Sequence, residues 1–198
     1  MHATTCYFVD LMMVDERTEI ARGLRRRDPD LLDRLIEQYQ HRLLRYLLSL
    51  TRNRATAEDL FQETWIRVLE RGHQYDGKHE FCTWLFSVSR HLAIDYFRRK
   101  QPASLDALLD DEDKPMTPPV SEEPSAFDMV AQREMSERIT AGLDRVAYEY
   151  REALVLRFQE GMSLDEIAMV TGAPLGTVKS RVYRGLSALQ PWLKGIQA

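Results

Sequence analysis

Five of the eight prolines in this 198-residue chain crowd between residues 102 and 124, together with the acidic run Asp110-Asp111-Glu112-Asp113. Proline removes backbone donors and blocks helix continuation, and like charges repel, so this stretch is expected to be an extended, flexible linker. The rest of the chain must then fold as two small domains, one on each side. We expect an N-terminal extension over residues 1–19, a first domain over 20–101, an acidic Pro-rich linker over 102–126 and a second domain over 127–198. The linker also explains the charge. Residues 102–130 carry a net −7, whereas residues 1–101 carry +2 and residues 131–198 carry +1. The overall −4 therefore belongs to the middle, and the flanking domains are free to present basic faces.

Both domains are expected to be all-α, because no segment sustains period-two alternation. Asp28-Pro29-Asp30 is a helix start, with a capping carboxylate, proline at the first helical position and an acid in the first turn. Leu31, Leu32, Leu35, Ile36, Tyr39, Leu43, Leu44, Leu47 and Leu48 follow at helical spacing. Thr56 to Asp59 resembles a capping box and is expected to open a helix whose buried stripe is Leu60, Phe61, Thr64, Trp65, Val68 and Leu69. Gly72 is expected to end it, and a polar loop runs to Glu80. A third helix, about residues 81–100, should bury Phe81, Trp84, Leu85, Val88 and Leu92. Trp65 and Trp84 are read as core residues on these stripes.

In the second domain, a helix is expected over about residues 127–143, and another ending at Gly161. Ser163-Leu164-Asp165-Glu166 is a complete capping box. The short helix it opens is broken by Thr171-Gly172-Ala173-Pro174, and a longer one runs from Leu175 to about Leu189, closed by Pro191. Short helix, tight turn and longer helix make a helix-turn-helix, whose second helix enters the major groove of DNA. Leu175, Val178, Val182 and Leu186 are expected to be buried. The other face carries Thr177, Lys179, Ser180, Arg181, Tyr183 and Arg184, with no acid between Leu175 and Leu189. Such a face supplies cations and hydroxyls to phosphates and a guanidinium to guanine. An ordinary hairpin with a solvated basic face fits the same pattern.

The composition excludes several classes. No apolar run approaches the ~20 residues of a membrane helix, so no direct membrane insertion is expected. Two cysteines, Cys6 and Cys82, make no disulfide framework and suggest a cytoplasmic protein. No phosphate loop, metal-spaced cluster or nucleophile set is present, so neither an enzyme, a metal nor a cofactor is expected.

Glu160 to Ala168 followed by Gly176-Thr177-Val178-Lys179-Ser180-Arg181-Val182-Tyr183-Arg184-Gly185-Leu186 resembles the C-terminal domain of the extracytoplasmic-function (ECF) sigma factors. The N-terminal half carries two independent likenesses. Ala57 to Trp65 resembles the family helix that docks on RNA polymerase. Phe81 to Phe86 through Asp95-Tyr96-Phe97-Arg98-Arg99-Lys100 resembles the helix that reads the minus-ten promoter element. His91 departs from the family's usual Asn, and Gly185 from its common Ala; the glycine should loosen the last helix by up to ~1 kcal/mol.

The resemblance implies roles. Asp59, Gln62, Glu63 and Arg67 would dock on the beta-prime clamp helices of core RNA polymerase, with the beta flap as a second contact. Tyr75 and His79, in the loop Gly72–Glu80, would stack on an extruded base, and Arg90, His91, Arg98, Arg99 and Lys100 would follow the melted minus-ten strand. The helix from Leu175 would read the minus-thirty-five element. An anti-sigma factor is the expected controlling partner, for a stress or envelope-signal regulon. The other reading is a helix-turn-helix regulator with an N-terminal helical interaction domain.

Overall fold

The computed structural model describes residues 16–100 and 139–193, and among these every regular element is a helix. The acidic linker, the first part of the helix expected over 127–143 (residues 127–138) and the first 15 residues, Cys6 included, lie outside the described residues, while residues 139–144 are helical. The chain divides into two compact units, an N-terminal and a C-terminal one.

The N-terminal unit contains α1 (residues 16–26), α2 (Pro29–Thr51), α3 (Arg54–Arg71), a 3₁₀ turn (Gly72–Gln74) and α4 (Phe81–Lys100). The start of α2 is as expected. Asp28 caps it, its Oδ1 accepting the N–H groups of Asp30 at 3.1 Å and Leu31 at 3.4 Å, with Pro29 at the first helical position. One face then buries Leu31, Leu35, Tyr39, Leu43, Tyr46, Leu47 and Leu50, each fully buried leucine contributing ~1.5–3 kcal/mol.

Two boundaries move. Residues 16–19, expected in an extension, already belong to α1, which buries Ile20, Ala21 and Leu24. Helix α3 begins at Arg54 rather than at Thr56, because Asn53 is the cap: its Oδ1 accepts the Thr56 N–H at 3.0 Å. The Thr56 hydroxyl instead lies 3.3 Å from the Tyr96 hydroxyl of α4. Within α3, Leu60, Thr64, Trp65 and Val68 are buried as expected, but Leu69 is 46% exposed. At Gly72 an added Cβ would sit 3.1 Å from the Leu24 Cβ, so the end of α3 packs tightly on α1 where a side chain would crowd it.

The core of this unit is aromatic. Phe81 lies 5.5 Å from both Tyr39 and Tyr75 and 5.8 Å from Trp84, while Tyr46 lies 4.9 Å from Phe86. Such tilted and edge-on pairs add attraction beyond the area they bury.

The C-terminal unit contains α5 (residues 139–144), α6 (Tyr148–Leu154) running on through a π turn (Val155–Gln159), α7 (Leu164–Thr171) and α8 (Leu175–Leu193). Val146, Leu154 and Leu189 form a buried cluster, with Leu143, Tyr150 and Val182 packed against it. Helix α8 does not stop before Pro191 but continues to Leu193. Tertiary packing explains the extension: the Arg145 guanidinium lies 5.0 Å from the centre of the Trp192 ring, and Trp192 closes on Gly142.

Gly185 also has a different meaning from the one its helix propensity suggests. A Cβ there would fall 2.9 Å from Leu154 Cγ and Cδ1, so the glycine lets α8 approach α6. Gly185→Ala is therefore expected to lower stability by about 1 kcal/mol. Overpacking of ~1–3 kcal/mol outweighs the ~1 kcal/mol gained in propensity. Urea denaturation of the full chain measures it; a stabilised variant would contradict the crossing.

Candidate nucleic-acid interface

The C-terminal site is built from local signals outward. Ser163 N donates to Glu166 Oε2 at 2.8 Å, and Glu166 N donates to Ser163 Oγ at 3.2 Å, closing the expected capping box at the head of α7. Arg157, from the π turn, steadies the approach by donating Nη1 to the Met162 carbonyl at 2.8 Å. Gly172 ends α7 at φ 65°, a left-handed conformation that suits glycine. The Pro174 carbonyl then accepts from Thr177 N at 2.8 Å and Val178 N at 3.0 Å, which starts α8.

The buried face of α8 differs from the expected stripe. Val178, Gly185 and Leu189 are buried and Val182 is half-buried, whereas Leu175 and Leu186 are 36% and 40% exposed. At ~100° per residue, the buried four fall within about 40° of Val178, and Leu175 and Leu186 sit about 60–80° to one side. The phase is set by the contact of Gly185 with Leu154, which a search for large apolar residues passes over.

The predicted reading face keeps its accessibility. Thr177, Lys179, Ser180 and Arg184 are exposed, Tyr183 is 74% exposed and Arg181 is half-buried. Arg184 Nη1 donates to the Tyr150 hydroxyl at 3.4 Å, so a residue of α6 holds one branch of this guanidinium. Nothing in the local sequence singles out Tyr150, which lies 34 positions away.

In the N-terminal unit, Tyr75 corrects an expectation. It is 2% exposed, its ring stands edge-on to Phe81 and 5.7 Å from Trp84, and its hydroxyl donates to the His79 carbonyl at 2.7 Å. A ring held inside the core offers no face to a base, so Tyr75 braces the loop rather than stacking. Burial pushes its phenol well above the ordinary tyrosine value, and pushes that of Tyr39 up to about 12. His73 and His79 are the exposed rings of the loop. Gly77 turns it at φ 76°, where a Cβ would lie 3.1 Å from the Arg17 carbonyl oxygen.

Along α4, Arg90 is half-buried and His91, Arg98, Arg99 and Lys100 are exposed. His91 Nδ1 lies 2.6 Å from the Ser87 carbonyl, a contact that requires the proton on Nδ1 and leaves Nε2 facing outward.

On α3, Asp59 and Gln62 are exposed, and Glu63 accepts from Arg67 Nη2 at 2.9 Å. Ile66 and Leu69, at 49% and 46% exposure, stand among these polar groups, so the outer face is amphipathic rather than purely polar. Their i, i+3 spacing was the available signal. Among the described residues no group of three potential ligands could hold a metal ion, and no helix is long and apolar enough to cross a membrane.

Residues 35–103 match the family model for sigma-70 region 2, and residues 136–189 match that for sigma-70 region 4. A sigma-70-type transcription factor is the class so defined, and the region 2 match displaces the reading as a helix-turn-helix regulator. The relatives narrow it. The chain is 31% identical to the ECF sigma factor SigX of Bacillus subtilis, over 79% of this chain and 80% of SigX. It is 29% identical to SigW of the same organism, over 93% of this chain and 99% of SigW. It is 35% identical to SigE of Mycolicibacterium smegmatis over 81% of this chain, a match that spans 61% of SigE. The chain belongs to the ECF RNA polymerase sigma factors, proteins that join core RNA polymerase and direct it to promoter DNA. The fold agrees with that of the sigma factor RpoE from Bartonella quintana, solved with the anti-sigma factor NepR, at a TM-score of 0.61 and 24% identity, covering 82% of this chain and 96% of RpoE.

Proposed function

We propose that promoter recognition is divided between the two units. Helix α8 reads the minus-thirty-five element through Thr177, Lys179, Ser180, Arg181, Tyr183 and Arg184. The loop before α4 and the exposed side of α4, through His79, Arg90, His91, Arg98, Arg99 and Lys100, handle the minus-ten element as it opens. The outer face of α3, with Asp59, Gln62, Glu63 and Arg67, docks on the beta-prime clamp helices, and the C-terminal unit meets the beta flap. The observation that carries this reading is α8 itself: a helix seated by a capped helix and a glycine turn, with an exposed face of cations and hydroxyls and no acid. The working compartment is the cytoplasm. An anti-sigma factor controls the chain, as NepR pairs with RpoE, and the regulon answers a stress or envelope signal.

The docking assignment has a direct test. Asp59→Lys with Glu63→Lys is expected to weaken binding to core polymerase while the fold survives. Asp59 is exposed, and the Glu63 carboxylate is tied to Arg67 of its own helix. Exposed substitutions usually stay within ~0.5 kcal/mol, and repulsion between Arg67 and the lysine introduced one turn before it adds roughly a few tenths. A pull-down titration against core polymerase reads the result; an unchanged midpoint removes this face from the interface.

A further inference from the structure

The turn between α1 and α2 carries a basic corner that none of the surfaces above uses. Arg22, Arg25, Arg26 and Arg27 follow Ile20 with no acid among them, and Arg34 joins them from α2. All five are exposed. Between α1 and α2 lies a groove of about 340 Å³, with Arg22, Arg26 and Arg34 in its walls and Gln38 beside them, over Ile20, Leu31 and Leu35. Glu16 and Glu19 line it one to two turns earlier on α1. Asp28 is already committed to capping α2, and Asp30, Asp33 and Glu37 flank Arg34 on that helix.

Two observations set this corner apart from an ordinary solvated surface. First, among the described residues no acid closes on its guanidiniums, although acids stand nearby on both helices. Arg17, Arg54 and Arg67 pair with Glu80, Glu58 and Glu63, but among the described residues none of the five forms an ion pair. Neighbouring cations well within a Debye length of ~10 Å repel one another until an anion arrives. Second, Arg27 sits at φ 53°, in the left-handed region, as Arg52 does at the end of α2, but only Arg27 stands within the basic corner. It closes α1 with its N–H on the Leu24 carbonyl at 3.2 Å, while Asp28 N reaches the Gly23 carbonyl at 3.1 Å. That paired-bond ending favours glycine, and a side chain there is strained. A strained arginine where glycine would be easier, at the centre of an unpaired basic cluster, points to use of its side chain.

We infer that this corner binds backbone phosphates of promoter DNA in the initiation complex, a contact separate from those of α4 and α8. Arginine rather than lysine at all five positions fits the ligand, because the planar guanidinium fork meets two phosphate oxygens at once. Such contacts carry affinity and salt dependence without reading sequence. The inference rests on the sigma-factor assignment, and its test separates the two.

The full chain, assembled with core polymerase, is compared as parent, Arg27→Gly and Arg22→Ala/Arg26→Ala, with promoter binding measured over a salt series. Arg27→Gly is expected to unfold at the same or a higher temperature, since strain is relieved. Yet it should bind every promoter sequence more weakly, with the log–log salt slope reduced by roughly one; the double variant should lose roughly two. Core polymerase binding without DNA should match the parent in both variants. Unchanged slopes in both variants overturn the inference. Loss of core binding without DNA also overturns it, by making the corner a protein-docking surface. A parent chain unable to load onto core polymerase would instead fault the proposed docking.

Discussion

Truncating Tyr75 to alanine is expected to destabilise the N-terminal unit by about 3–5 kcal/mol, the range for removing a large buried aromatic ring. The ring is almost wholly buried and meets Phe81 and Trp84, so its loss opens a cavity beneath the loop that precedes α4. The hydroxyl contributes separately. Tyr75→Phe keeps the ring but removes the donor from the His79 carbonyl, a loss of about 1 kcal/mol. His79→Ala, by contrast, alters an exposed side chain and should leave the fold intact while impairing strand opening. Urea denaturation of the three variants checks the ordering. A Tyr75→Ala chain as stable as the parent but defective in opening would restore Tyr75 to the DNA surface.

The second large effect is expected at Arg181. Replacement by alanine should reduce affinity for the cognate minus-thirty-five element by ~1–3 kcal/mol and relax the preference at one base position, as loss of a base-reading arginine does. Its partial burial places Arg181 beside the packed face of α8, where less freedom is lost on binding. Lys179, fully outside, and Arg184, with one branch on Tyr150, suit phosphates. Lys179→Ala should therefore weaken all promoters alike and lower the salt slope by about one. Holoenzyme titrations on native and base-substituted promoters distinguish the patterns; equal loss on every upstream sequence would remove Arg181 as the reader.

Local signals were legible in the sequence. Asp28-Pro29 and Ser163 with Glu166 mark helix starts because the chemistry that satisfies the first N–H groups lies within three residues. The helix-turn-helix follows from that capping box and Gly172. What escaped the sequence depends on distant partners. Tyr75 stands in a polar loop with no periodicity, and nothing nearby announces that its ring enters the core. The phase of α8 depends on the absence of a side chain at Gly185, which meets Leu154 from another helix. Pro191 reads as a stop until Trp192 and Arg145 are seen together. At α3, Asn53 and Thr56 are both competent caps, and only the hydroxyl contact of Thr56 with Tyr96 decides between them.

Strand opening is the step that separates a sigma factor from any protein that merely binds duplex DNA, and permanganate reactivity of promoter thymines reads it directly. Three mixtures suffice: promoter with this chain, with core polymerase, and with both. Reactive thymines are expected at the minus-ten element only when both are present, and they should diminish when α4 carries Arg98→Ala and Arg99→Ala. Opening by core polymerase alone to the same extent, or no opening when both are present on a promoter the chain directs, would contradict a role in initiation.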